Sequence, residues 1–143
     1  MAFITDVYLS EILNKDVIDQ FGKRLGSLWD LLIVPGQKYP RVIKVILNNK
    51  RKKTEIPVEN LQLFNSFVIT VNLPKSTLSD YAYAEGDILI KKHILDKQIL
   101  DVNGAKIVRV NDLKLGEVDG SICLIGIDVG LNGILRRVDG GHT

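Results

Sequence analysis

The sequence predicts an all-β fold, and three observations carry that prediction. Apolar residues fall at every second position in "RVIKVIL" and "CLIGIDV", which is typical of strands buried on one face. Asn103-Gly104 lies between two short apolar runs, where this dipeptide favours a tight hairpin. A slip in the alternation of "RLGSLWDLLIV" indicates a β-bulge near Gly26. Helices are expected only as single turns, within residues 6–15 and 56–65.

An internal repeat relates the two halves of the chain at an offset of 82 positions. The segment "ILNKDVIDQFGKRLGSLWDLLI", residues 12–33, aligns without a gap with residues 94–115, and seven of the 22 pairs are identical. Asp30 and Asp112 are one such pair, each followed by Leu late in a strand pattern. We expect both carboxylates to pair with a basic side chain across the sheet.

The repeat divides the chain into a first module, 1–72, a linker, 73–87, and a second module, 88–143. The linker collects Pro, Ser, Asp and Gly and has no strand periodicity. In the first module "SFVITV" occupies residues 66–71, and at the repeat offset its counterpart would fall after the last residue. The second module is therefore expected either to be truncated or to be completed by another element. We expect the linker and the end of the first module to cover its edge.

Composition narrows the class of protein. The net charge of +2 is too small to predict nucleic-acid binding from the whole-chain field. The longest apolar runs are strand-sized, and a membrane span needs about 18 residues, so no span is expected. The single Cys123 cannot form an intrachain disulfide, and no export signal precedes the first strand pattern. A cytoplasmic protein is the expectation.

The sequence predicts no catalytic residue, no cofactor site and no metal site, and therefore no enzyme. Cys123 lies in an apolar strand, where a free cysteine is usually a small core residue. Neither His93 nor His142 has a nucleophile at a suitable spacing. The aspartates do not form a calcium-type loop, and Asp19 beside a glycine turn is expected to bond local backbone amides.

One dense group of cations stands out in "NKRKK", at an expected hairpin tip. This basic tip comprises Lys50, Arg51, Lys52 and Lys53. Such a tip either grips phosphates or an acidic partner, or only keeps the hairpin soluble and blocks edge pairing, and we favour the second reading. Trp29, Phe64 and Phe67 lie in apolar patterns and are expected in the core, so no stacking platform accompanies the tip.

The strings "EILNKDVIDQFGKRLGSLWDLLI", "RVIKVIL" and "TEIPVENL" resemble a PRC-barrel domain, a small β-barrel. In the second half, "RVNDL" and "GIDVGLNGILRR" are similar to the paired PRC-barrel region of proteins that continue into a domain akin to the N domain of magnesium transporters, followed by CBS domains. The resemblance implies two tandem PRC-barrel-like β-barrels.

The resemblance also implies a function. It indicates a non-enzymatic scaffold or regulatory module linked to divalent-cation homeostasis, with magnesium as the ion. Its partner would be another protein, a downstream domain or a second copy, bound through exposed strand edges, the basic tip or the apolar residues Ile134 and Leu135. The isolated chain is expected to self-associate. The alternative is an adaptor for RNA or a ribosomal protein, like the PRC-barrel of ribosome maturation factors.

Overall fold

The computed structural model describes residues 3–4, 6–73, 78–101, 103–104, 106–129 and 135–137. The predicted all-β class is confirmed there, since the helices are single turns. In chain order the elements are β1 (Phe3–Ile4), β2 (Val7–Tyr8), α1 (Leu9–Ile12), β3 (Asp16–Ile18), β4 (Arg24–Val34), β5 (Arg41–Asn49), β6 (Lys52–Pro57), a 3-10 turn (Val58–Asn60), β7 (Leu61–Phe64), β8 (Ile69–Val71), β9 (Ser79–Asp80), β10 (Ile88–Leu89), α2 (Ile90–His93), β11 (Gln98–Asp101), β12 (Lys106–Arg109), β13 (Asp112–Val118), β14 (Ser121–Asp128) and β15 (Leu135–Arg137).

Thirteen of the described strands form one curled sheet that draws on both halves of the chain. Its main path runs β1-β7-β8-β3-β4-β5-β14-β13-β2, while β11 and β12 form a separate hairpin. The long strand β4 is bent by register shifts against β5. Against β3 it skips one residue, since Val17 faces Gly26 and Ile18 faces Arg24. The predicted bulge near Gly26 is confirmed, and such bulges let a sheet curl.

Each half lends one short strand to the other half. Strand β2 lies on β13, with Val7 opposite Leu115. Strand β10 lies on β4, with Ile88 opposite Ile33. The expectation that the end of the first module covers the second is wrong, because β7 and β8 are already paired with β1 and β3. The predicted linker contains β9, which pairs with β6 of the first half.

Backbone contacts 82 positions apart correspond to one another. The amide of Asn14 donates to Leu28 over 2.8 Å, and the amide of Asp96 donates to Val110 over the same distance. Asn14 and Asp96 both have positive φ, at 67° and 64°. At the junction of the halves, Arg41 of β5 pairs with Cys123 of β14.

One cluster of buried apolar side chains fills the space inside the curled sheet. It includes Leu31 and Val45 from the first half and Leu113, Leu115 and Ile122 from the second. Strands of both halves therefore share a core across the predicted module boundary, so packing couples the two halves.

Candidate interaction surface

The basic tip is a two-residue hairpin turn between β5 and β6. Asn49 faces Lys52 across the ladder, and Lys50 and Arg51 form the turn with φ of 50° and 71°. Positive φ at both central residues is the geometry that Asn-Gly normally occupies. Lys50 and Arg51 are exposed. The sequence places two long cations where the backbone favours smaller residues.

Two of the four tip cations have partners within the protein. The Nζ of Lys52 lies 3.3 Å from Asp80. The Nζ of Lys53 donates to the Asn48 side chain over 2.8 Å and lies 4.8 Å from the centre of the Trp29 ring. These contacts hold the base of the tip, while its end stays in solvent.

Trp29 is the centre of a cation-aromatic cluster on the outer side of β4. Besides Lys53, the Nζ of Lys91 lies 5.4 Å from its ring centre, and ammonium groups over an indole face are attracted to it. The prediction that Trp29 belongs to the core is only partly right, since the ring is half-buried beside Leu32 and Ile46. Its position links the basic tip to the start of α2.

Phe64 is fully buried as predicted, but the placement of Phe67 in the core is wrong. Phe67 is 90% exposed. The Asn65 side chain accepts hydrogen bonds from the amides of Phe67 and Val68, over 2.8 and 2.9 Å. This turn ends the strand pattern before Phe67, so the ring faces solvent.

Asp30 and Asp112 bind helix starts instead of basic side chains. The carboxylate of Asp30 accepts the amides of Lys91 and Lys92, over 2.8 and 3.0 Å, in the first turn of α2. Asp112 accepts the Ser10 amide of α1 over 3.1 Å and also its hydroxyl. Each aspartate therefore caps the helix of the opposite half, satisfying amides that have no partner within a helix.

Asp30 is fully buried, which sets its protonation behaviour. Desolvation raises the pKa of this carboxyl above the ordinary 3.8, and the hydrogen bonds from Lys91, Leu31 and Lys92 offset only part of that rise. Asp19 caps its own turn as predicted, since it accepts the amides of Phe21 and Lys23.

The β11–β12 hairpin carries a group of exposed apolar side chains. Leu100 faces Ile107 directly across the ladder. These residues are 62% and 67% exposed, respectively, and we call them the open face. On the other side of the hairpin Ile99 and Val108 pack against the core. The sequence analysis did not predict this surface. The string "KIVR" could have indicated it, because adjacent Ile107 and Val108 must face opposite sides of a strand.

Of the other predicted contact residues, Ile134 lies outside the described residues. Leu135 begins β15, which pairs with β14 opposite Asp128. Partner binding through Ile134 and Leu135 stays a prediction.

A cleft of about 290 Å³ lies at the junction of the halves, with Lys38, Arg41, Asp119 and Cys123 in its wall. Burial raises the pKa of the Cys123 thiol, so the reactive thiolate is disfavoured.

The His93 ring accepts a hydrogen bond from the Leu89 amide over 2.9 Å at the start of α2, so this histidine has a structural contact. Within the described residues no group of three His, Cys, Asp or Glu is placed to hold a metal ion. Among the same described residues, no helix is long and apolar enough to cross a membrane.

Comparison with known families identifies the first half. A model of the PRC-barrel domain matches residues 4–78, just over half of the chain. The chain belongs to the PRC-barrel family. The matched PRC-barrel segment includes the basic tip and the β7–β8 hairpin, while the open face lies beyond it. Comparison with curated proteins gives no match.

Proposed function

We propose that this protein is a non-enzymatic protein-interaction module that acts as a scaffold or regulator. The observation that carries the proposal is the open face, where Leu100 and Ile107 are opposite one another and mostly exposed. Burial of one such side chain contributes about 1.5–3 kcal/mol, so a partner that covers both gains stability. Grouped apolar residues at a surface commonly mark binding sites.

The proposal includes a second, shorter PRC-barrel-like unit in residues 88–143, in tandem with the first. The matching contacts of Asn14 with Leu28 and of Asp96 with Val110 support it, as does the exchange of the short strands β2 and β10. An experimental structure in which residues 94–115 fail to superpose on residues 12–33 would contradict this part of the proposal.

The larger protein to which the module contributes is proposed to serve divalent-cation homeostasis, with magnesium as the ion. The support is the resemblance of "RVNDL" and "GIDVGLNGILRR" to the paired PRC-barrel regions next to magnesium-transporter-type N domains and CBS domains. In this scheme the module docks a partner, and ion binding belongs to another part of the assembly.

Site-specific photo-crosslinking in cells tests the interaction role. A photoreactive phenylalanine at Ile107 should give a discrete crosslinked product. The same group at Phe21, which is also highly exposed, should not. Absence of a product at Ile107, with the variant folded, would contradict the proposal. Mass spectrometry of the product decides the cation-homeostasis part, and light scattering of the purified protein distinguishes a partner from a second copy.

The second candidate function is that of an RNA or ribosomal-protein adaptor. It is favoured by Lys50 and Arg51, which stay exposed in a positive-φ turn. It is weakened by Lys52 and Lys53, whose charges are engaged by Asp80 and Trp29. Electrophoretic shifts of RNA that weaken steeply with salt and vanish in Lys50→Glu/Arg51→Glu would support this adaptor. No shift at low salt would remove it.

A further inference from the structure

The first half of the chain contains the counterpart of the open face, and there the counterpart residues are covered. Leu25 precedes Ile107 by 82 positions and is 6% exposed, against 67% for Ile107. Ile18 precedes Leu100 by the same interval and is half-buried. The two halves thus use the same apolar positions, but only the first half encloses them.

The strand that completes the first half is β8. It runs parallel to β3, with Val17 opposite Ile69 and Ile18 opposite Thr70. Its apolar residues Ile69 and Val71 alternate along the strand, and both are fully buried. Strand β7 then pairs with the far side of β8. The edge of β3 is therefore covered by backbone hydrogen bonds and by two inward apolar side chains.

In the second half, β11 occupies the place of β3. Ile99 faces Val108 in the hairpin. The residues 82 positions earlier, Val17 and Gly26, face one another in the same way. In the part of the chain that the structure describes, β11 pairs with β12 alone. The pairing of Val17 is thus reproduced, but the bulge is not: Ile18 faces Arg24, while Leu100 faces the counterpart of Leu25. No described strand takes the place of β8.

We infer that β11 is a docking edge for a β-strand of a partner protein, which runs parallel to β11 and carries apolar residues at alternate positions. This inference rests on the proposed interaction role and names the class of partner. Strand addition supplies backbone hydrogen bonds for affinity, and side-chain contacts with alternate residues supply selectivity. A second copy is a poor donor, because its β8 already lies between β3 and β7.

A peptide taken from the chain itself tests the inference. The synthetic peptide "SFVITVNL", residues 66–73, carries the β8 sequence. Titrated into the ¹⁵N-labelled full chain, it should shift the amide resonances of Gln98–Asp101 in a saturable manner. Leu100→Lys and Ile107→Lys, each checked for folding by its spectrum, should weaken binding at least tenfold. A peptide with Ile69→Lys and Val71→Lys should not bind.

Phe21→Lys is the matched control, because Phe21 is another highly exposed apolar residue and lies in the β3–β4 turn of the first half. It should leave the peptide affinity unchanged. Shifts at Asp16–Ile18 instead of β11 would overturn the inference, since the peptide would then be replacing β8. A concentration-dependent dimer lost in Leu100→Lys would also overturn it, by assigning the edge to a second copy.

The outcomes separate the two proposals. If Ile107 crosslinks to a partner in cells but the peptide does not shift β11, the interaction role stands and strand addition is wrong. If the peptide binds β11 but no partner crosslinks, β11 can bind a strand, while the proposed interaction role in cells is wrong.

Discussion

Removing the Asp30 carboxylate should destabilise the protein more than any other single cap. Asp30→Ala deprives three amides of their acceptor: Leu31 at 2.7 Å, Lys91 at 2.8 Å and Lys92 at 3.0 Å. Because Lys91 and Lys92 lie in the first turn of α2 in the second half, the change also loosens the contact between the halves.

The size of the effect follows from burial. A buried amide that loses its partner costs about 1–3 kcal/mol, and loss of a helix cap costs about 0.5–2 kcal/mol. Lys92 is an exposed residue, so water can replace part of the lost acceptor there. Asp30 itself is fully buried, so water does not replace its carboxylate at the other amides. We expect a total loss of about 2–4 kcal/mol in the free energy of unfolding. For a chain of this size that lowers Tm by about 6–16 °C.

Asp112→Ala is the matched control, because Asp112 has the same role for α1 but is half-exposed. Solvent can replace it, so its loss should cost about 0.5–2 kcal/mol. Urea titrations followed by circular dichroism measure both variants, with an unchanged m-value as the sign that the unfolded states are comparable. A loss within 0.5 kcal/mol for Asp30→Ala, or a larger loss for Asp112→Ala, would refute the reasoning.

Three further predictions concern backbone strain and pH. Gly26→Ala should lower the free energy of unfolding by about 1–3 kcal/mol, because its Cβ would lie 2.9 Å from a carbonyl oxygen of β5. Gly22→Ala meets open space and should lower it by about 1 kcal/mol. Equal losses for the two variants in urea titrations would contradict this prediction. Replacing Lys50-Arg51 with Asn-Gly should add about 0.5–1 kcal/mol to the free energy of unfolding, and a lower urea midpoint would show that the turn is unstrained. Burial raises the pKa of Asp30 above 3.8, so the folded state favours the protonated form. The pH-dependent part of its contribution to stability is complete below pH 3.8 and is lost as pH rises through the folded pKa, in addition to the hydrogen-bond capping. The stability advantage of the wild-type protein over Asp30→Asn should therefore be larger at about pH 4 than at about pH 7, and the opposite order in urea titrations would contradict the assignment.

The sequence predicted local features well because local chemistry sets them. The parity slip around Leu25 predicted the bulge beside Gly26, since a skipped residue must appear in the alternation of side chains. The turn at Asp19 was also predictable, because a short acidic side chain reaches amides two and four residues ahead.

Features that depend on distant partners were not predictable in the same way. Asp30 caps amides 61 and 62 positions away, so the sequence showed only a recurrent Asp-Leu pair without its partner. Phe67 was wrongly placed in the core because the pattern of "SFVITV" predicts one strand. In the structure the turn at Asn65 includes Phe67, and the strand begins only at Ile69. The open face was not predicted because Leu100 and Ile107 have the apolar side chains of core residues, and their exposure depends on the tertiary structure.

The exchange of β2 and β10 explains how β11 can pair with β12 alone among the described strands. An isolated hairpin such as β11–β12 is marginally stable in water. Here its inner residues Ile99 and Val108 pack against the core that both halves share, and β2 from the first half closes the far side of β13. Within the described residues, stability for the second half is thus supplied across the junction and not by a counterpart of β8. Strand β11 can stay ordered without a covering strand, and an ordered edge loses less conformational entropy when it binds a partner than a disordered one would.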